Sequence, residues 1–160
     1  REIVAPMSYH SDLYPDSVEN VNIFGHLYTW YAAIDTATAG TFTPGGHTQG
    51  ICPDGWFLPD SIHYAELSVH GAPALRSPLY WINGSSGDNS TGFTALPAGF
   101  YNGKEQRYEN LLGETRFWST YHNISSEKVQ TFTLYYFCEE TKNVWARKDD
   151  GCSIRCILEE

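Results

Sequence analysis

The nine residues 52–60, Cys-Pro-Asp-Gly-Trp-Phe-Leu-Pro-Asp, combine a cysteine, a tight turn, bulky apolar groups and a helix start. Pro53, Asp54 and Gly55 write the turn. Trp56 and Leu58 then place large apolar groups on a short extended piece, which predicts Trp56 as a core anchor. Pro59 biases Leu58 away from helical geometry, and Asp60 offers an acceptor to the first free amides of the next segment. A helix is therefore predicted over 61–70, with Ile62, Ala65, Leu67 and Val69 as its apolar residues and Gly71 as its stop. At the far end of the chain, 153–157 (Ser-Ile-Arg-Cys-Ile) alternates as a β-strip and carries another cysteine.

At 160 residues and 41% hydrophobic content the chain fits one domain, 1–160, able to bury roughly 70% of its unfolded surface. Its 14 Gly and 8 Pro predict many turns and long loops. A net charge of -9, with only 10 Lys and Arg and no basic cluster, excludes a nucleic-acid partner. No apolar run reaches 18 residues, so no direct membrane insertion is expected. The start, Arg1-Glu2-Ile3-Val4, reads as that of a mature or trimmed fragment. Cysteines at 52, 138, 152 and 156 allow three complete pairings. Their even number and the lack of a Cys-x-x-Cys pair favour disulfides, and hence an oxidising compartment, over zinc.

Residues 1–25 read as irregular, with an acidic surface loop over 12–19. Residues 25–34 suit either a buried strand or, through Ala32-Ala33-Ile34, a short helical turn. Residues 35–50 read as loop, 73–78 leave room for one helical turn between prolines, and 83–92 are loop. Pro97 makes 93–101 an edge or irregular strand, and 102–115 is a polar excursion. The β-forming runs at 117–119, 129–137, 143–147 and 153–157 predict a four-run antiparallel sheet. A hairpin turning at 139–142 would bring Cys138 toward Cys152.

Five segments, 25–33 (Gly-His-Leu-Tyr-Thr-Trp-Tyr-Ala-Ala), 52–59, 89–99 (Asn-Ser-Thr-Gly-Phe-Thr-Ala-Leu-Pro-Ala-Gly), 117–120 (Phe-Trp-Ser-Thr) and 151–157 (Gly-Cys-Ser-Ile-Arg-Cys-Ile), together resemble the Fibrobacter succinogenes major paralogous domain. They occur in the family's order over about 24–158, while 1–23 match poorly. Phe57 stands where the family usually has His. The resemblance implies an α+β, C-type lectin-like fold: loop-rich, with a small antiparallel sheet, one main helix near 61–70, chain ends meeting in a sheet, and disulfides. It implies a bridge between Cys52 and Cys156. Closing a loop of roughly 100 residues is worth about 4.7 kcal/mol in the chain-entropy model. Cys138 and Cys152 match the placing of the second bridge of ordinary C-type lectins.

None of the six histidines has metal-ligand spacing, and every cysteine has a disulfide explanation, so neither a metal centre nor a catalytic residue is expected. C-type lectins that bind sugar through calcium use Glu-Pro-Asn or Gln-Pro-Asp and Trp-Asn-Asp triplets. Neither kind is present, and Asp88 with Asn89 supplies too few oxygens for such an ion. The expectation is thus no cofactor, calcium being the one ion the fold would admit. What remains is recognition by the C-terminal loops and sheet face through Tyr121, His122, Asn123, Tyr136, Trp145, Arg147 and Asp149, where aromatics offer area and Arg with Asn directional bonds. The bland alternative is that alternate members of these runs are core. The resemblance implies a non-catalytic adhesion or ligand-binding module of a bacterial surface or pilus-tip protein. Its partners would be a protein or glycan on a host or neighbouring cell and other pilus or envelope subunits, and its C-terminal segment would be open to diversification by a retroelement. An enzyme on the same fold, carbohydrate-active or formylglycine-generating, and a structural spacer are the alternatives.

Overall fold

The computed structural model describes residues 3–4, 17–35, 47–123, 125 and 127–160. It is an α+β structure in which, among the described residues, four short helices and four small antiparallel sheets are joined by loops. Strand β1 (Ile3–Val4) pairs with β2 (Leu27–Tyr28), and helix α1 (Ser17–Phe24) lies between them in the chain. The predicted irregular start thus contains a helix, and residues 17–19 belong to it rather than to a surface loop. The two readings of 25–34 both apply, because β2 runs directly into α2 (Trp30–Ile34). Thr29 separates them by turning its hydroxyl to accept from the Ala32 amide, and Asp35 ends the helix in the left-handed region.

Strand β3 (Trp56–Phe57) follows the predicted turn, and the Asp60 carboxylate then accepts from the amides of Ile62 and His63 to open α3 (Ser61–Ser68). The helix ends two residues before the expected limit, and Gly71, at φ +76°, follows its last turn. Its buried face differs from the one expected: Tyr64 and Leu67 pack on the core, while Ile62, Ala65 and Val69 are exposed. Trp56 is corrected as well, being 39% exposed, because successive residues of an extended strand point to opposite sides and Phe57 takes the inward one. The single helical turn between prolines is α4 (Ala72–Leu75). Strand β4 (Phe100–Asn102), which begins in the predicted irregular strand of 93–101, forms a hairpin with β5 (Arg107–Glu109) inside the polar excursion of 102–115. Gly99 precedes it at φ +67°, and a Cβ there would lie 2.4 Å from the Glu109 carbonyl oxygen, so only glycine fits.

The main sheet has three strands, β6 (Glu114–Asn123), β7 (Lys128–Tyr135) and β8 (Lys142–Arg147), with β7 central. The β7–β8 pair is the predicted hairpin. The fourth predicted run does not join it as an antiparallel strand. Ser153 makes a parallel bridge to Phe117, and β9 (Ile157–Leu158) pairs instead with β3. The chain ends therefore do not pair with each other among the described residues.

Alternation along β6 and β7 gives the sheet two packed faces. Phe117, Phe132 and Leu134 meet Tyr64, Leu75 and Trp81 on one, with the Tyr64 and Phe132 rings stacked at 4.6 Å. On the other, Trp118, Val129 and Ala146 meet Trp30, Ala33 and Cys152. No helix among the described residues is long and apolar enough to cross a membrane.

Cys52 and Cys156 are joined, with Cα atoms 5.9 Å apart, across 104 positions of sequence. Cys138 and Cys152 are free thiols, which corrects the second expected bridge. Cys152 packs beside Val129 at the start of β7, whereas Cys138 follows Tyr135 at its end. At about 3.3 Å per residue those positions are roughly 20 Å apart, far beyond disulfide reach. Replacing Cys52 and Cys156 together with alanine should lower the unfolding free energy by about 3–5 kcal/mol in urea titrations. Alkylation of the native, unreduced protein should modify Cys138 well before Cys152, whose thiol is fully enclosed and whose pKa burial pushes up. Equal rates would overturn that placement.

Candidate functional site

The packed region of the Tyr64 face stops at the Phe117–Phe132 row. Between Trp118 and His122 the register of β6 against β7 shifts, Trp118 lying opposite Thr131 and His122 opposite Val129. The irregularity is pinned: the Ser119 hydroxyl donates to the Gln130 carbonyl at 2.7 Å, and the Thr120 amide to the Pro59 carbonyl at 3.0 Å. Beyond it Tyr121 emerges 50% exposed, its ring 5.8 Å from that of Trp145, which is 42% exposed on edge strand β8. Gln130, half-buried, pairs with Trp145 across the strands, and one row further Lys128 pairs with Arg147.

Arg147 turns toward Asp149, donating from Nε and Nη2 to its two carboxylate oxygens at 2.8 Å each. The guanidinium bonds hold the Asp149 pKa below the usual carboxylate value, and the same bonds raise that of Arg147. Asp150 has a different task, since its buried carboxylate accepts from the amides of Gly103 and Arg147 and fixes the turn.

Four of the expected residues, Tyr121, Trp145, Arg147 and Asp149, thus gather at one end of the sheet. His122, the next residue along the strand from Tyr121, points to the opposite face. Its ring lies 5.2 Å from that of Trp30 and its Nδ1 is 3.2 Å from the Thr120 carbonyl oxygen. Tyr136 lies past the other end of β7, packed on the Tyr64 cluster and edge-to-face with Phe137, so it shares no surface with Tyr121. Asn123 ends β6 opposite Lys128, and its side chain lies outside the described residues. Lys128 and Gln130 were absent from the expected set, although their alternation with buried Val129 is a readable period-two signal.

Among the described residues no group of three or more His, Cys, Asp or Glu side chains is placed to hold a metal ion. The arrangement offers stacking area, a paired Arg and Asp, and a flanking lysine, which suits noncovalent contact.

The class the structure defines is an α+β body of small antiparallel sheets closed by one long-range disulfide. The family model described as the Fibrobacter succinogenes major domain matches residues 7–158, and the chain belongs to that family. No curated protein matches the chain, and no solved structure does.

The two classes of tryptophan should separate in stability measurements. Trp118, 1% exposed and donating its indole N–H to the Tyr28 carbonyl, should cost about 3–5 kcal/mol on replacement by alanine. Trp145→Ala should cost less than about 1 kcal/mol, as expected of an exposed position away from such features. Comparable losses in chemical denaturation would mean that Trp145 belongs to the core.

Proposed function

We propose that this chain is a C-type lectin-like recognition module of a bacterial surface or pilus-tip protein, binding a protein or glycan ligand without chemistry at the open end of the β6–β7–β8 sheet. The observation that carries the reading is the Tyr121–Trp145 pair, two large rings left exposed side by side on a sheet whose opposite face, at Val129 and Ala146, is buried. Such rings provide wide contact area with few torsions to freeze, and strands hold them in place before the ligand arrives. Arg147 and Asp149 add directional donors and acceptors at the rim. The Cys52–Cys156 bridge supports an oxidising, extracellular setting. Positions on this face are also the ones a retroelement could rewrite with least effect on the core.

The test is a glycan array and an array of surface proteins probed with the labelled domain. Saturable binding should fall about 30-fold or more for Tyr121→Ala with Trp145→Ala, as for loss of a hot spot of about 2 kcal/mol. It should persist with Trp56→Ala, which removes an exposed tryptophan from β3, and in the presence of chelator. Binding indifferent to the paired change would place the ligand elsewhere, and loss with chelator would make the contact ion-dependent.

A further inference from the structure

Away from that face, helix α3 and the segments at 92–93 and 155–157 enclose a groove of about 620 Å³. Pro59, Leu67 and Phe93 give it apolar walls, His63 and His70 line it from α3, and Arg155 contributes the one guanidinium among its lining residues. The guanidinium lies against aromatic rings, 4.8 Å from the centre of Phe93 and 5.9 Å from that of Phe117. One of its five N–H donors is used, from Nη2 to the Thr94 carbonyl at 2.9 Å.

Among the described arginines it shares the lack of a carboxylate with Arg76, whose Nη1 donates instead to the Tyr135 and Cys138 carbonyls. Arg107, Arg116 and Arg147 each pair with an acidic side chain within 2.8 Å, and acids outnumber Lys and Arg by 19 to 10. Arg155 has no acidic partner among the described residues, and none of its nitrogen atoms is both sealed from solvent and unbonded. Burial acts against its charge, lowering its pKa, and Tyr64 works the other way. A cation partly withdrawn from water, with two aromatic rings beside it and donors left over, is what recognition of a planar anion requires.

We propose that this groove binds a small organic carboxylate, the acid group forked on Arg155 and the body of the ligand lying against Leu67 and Phe93. Two sources share that chemistry: a sugar acid and the C-terminal residue of a peptide. Glu66, exposed and also lining the groove, is the one acidic side chain there, so it opposes an anion and water weakens its effect. The site shares no residue with the Tyr121–Trp145 face, so the two readings stand or fall separately.

The probes are glucuronate against glucose and N-acetyl-leucine against N-acetyl-leucinamide, titrated into the intact chain at low ionic strength and followed by NMR. At least one acid should bind about tenfold or more tightly than its neutral counterpart, the gain of one charge-assisted contact, and the pair that responds identifies the source. The ring signals of His63 and His70 should move, while those of His26, which lines a smaller pocket that Arg155 also borders, should not. Arg155→Gln should abolish the preference for the acid, Arg155→Lys should keep part of it, and Glu66→Gln should strengthen binding. Should Arg155→Gln fail to fold, the comparison of acid with neutral probe and the Glu66→Gln variant still decide. Equal affinity for both members of each pair, no response to any probe at millimolar concentration, or shifts confined to His26 would overturn the assignment.

Discussion

Three residues, Gly151, Cys152 and Ser153, tie together strands β2, β4 and β6, which lie far apart in the sequence. Gly151 exchanges both backbone hydrogen bonds with Tyr101 of β4, and Cys152 exchanges both with Tyr28 of β2. Ser153 donates to the Arg116 carbonyl and accepts from the Trp118 amide on β6. Each such bond nets only about 1 kcal/mol, but a buried amide left without its partner costs more, so the three elements are fixed jointly or not at all. Trp118 reinforces the junction, because its indole N–H reaches the same Tyr28 carbonyl that the Cys152 amide uses. The disulfide follows within a few residues. By fastening Cys156 to Cys52 it delivers β9 to β3 and closes the loop-rich middle of the chain onto this junction.

The parts of the fold legible in the sequence are those decided locally. The turn at 53–55, the Asp60 cap, the start of α3 and the β7–β8 hairpin each follow from residues within one or two turns of one another. What escaped was set by distant partners. The size of Trp56 marks it as apolar but not as inward, and the orientation of β3 is chosen by its pairing with β9. Strand β5 is three residues long and mostly polar, too short for alternation to register, whereas β4 begins in the 93–101 run whose strand character is readable. Helix α1 is short and sits in an acidic stretch, and its Asn20 is wholly buried, an inversion of what composition suggests. The 153–157 run has β character, yet Ser153 lies parallel to β6, which no local signal distinguishes from the antiparallel case.

The candidate site shows the same division. Tyr121, Trp145, Arg147 and Asp149 were legible because exposed aromatics beside charged residues near a sheet edge are a compositional signal, and they do come together. His122 and Tyr136 share that composition but fail on geometry, one by strand alternation and one by standing at the far end of β7. Arg155 gave no signal of this kind. An arginine inside an alternating strip looks like a solvated side chain, and its lack of an acidic partner emerges only when Phe93, Phe117 and Thr94 are placed around it.

The irregularity in β6 explains how an open face and a packed core share one strand. Between Trp118 and His122 four positions of β6 advance against two of β7, so two extra residues are accommodated rather than one. A single extra residue would reverse every following side chain. Two preserve the alternation, returning His122 to the face of Trp118 and sending Tyr121 to the face of Phe117. The extra backbone is secured by Pro59 and Gln130, through Thr120 and Ser119, both of which are buried. The Tyr64-side core therefore ends at a fixed row, and the next row, Tyr121, Gln130 and Trp145, faces outward from strands whose opposite face, at Val129 and Ala146, is packed on Trp30. Side chains there can differ in size and charge without opening a cavity or stranding a buried polar group, the two mechanisms by which substitutions usually cost most.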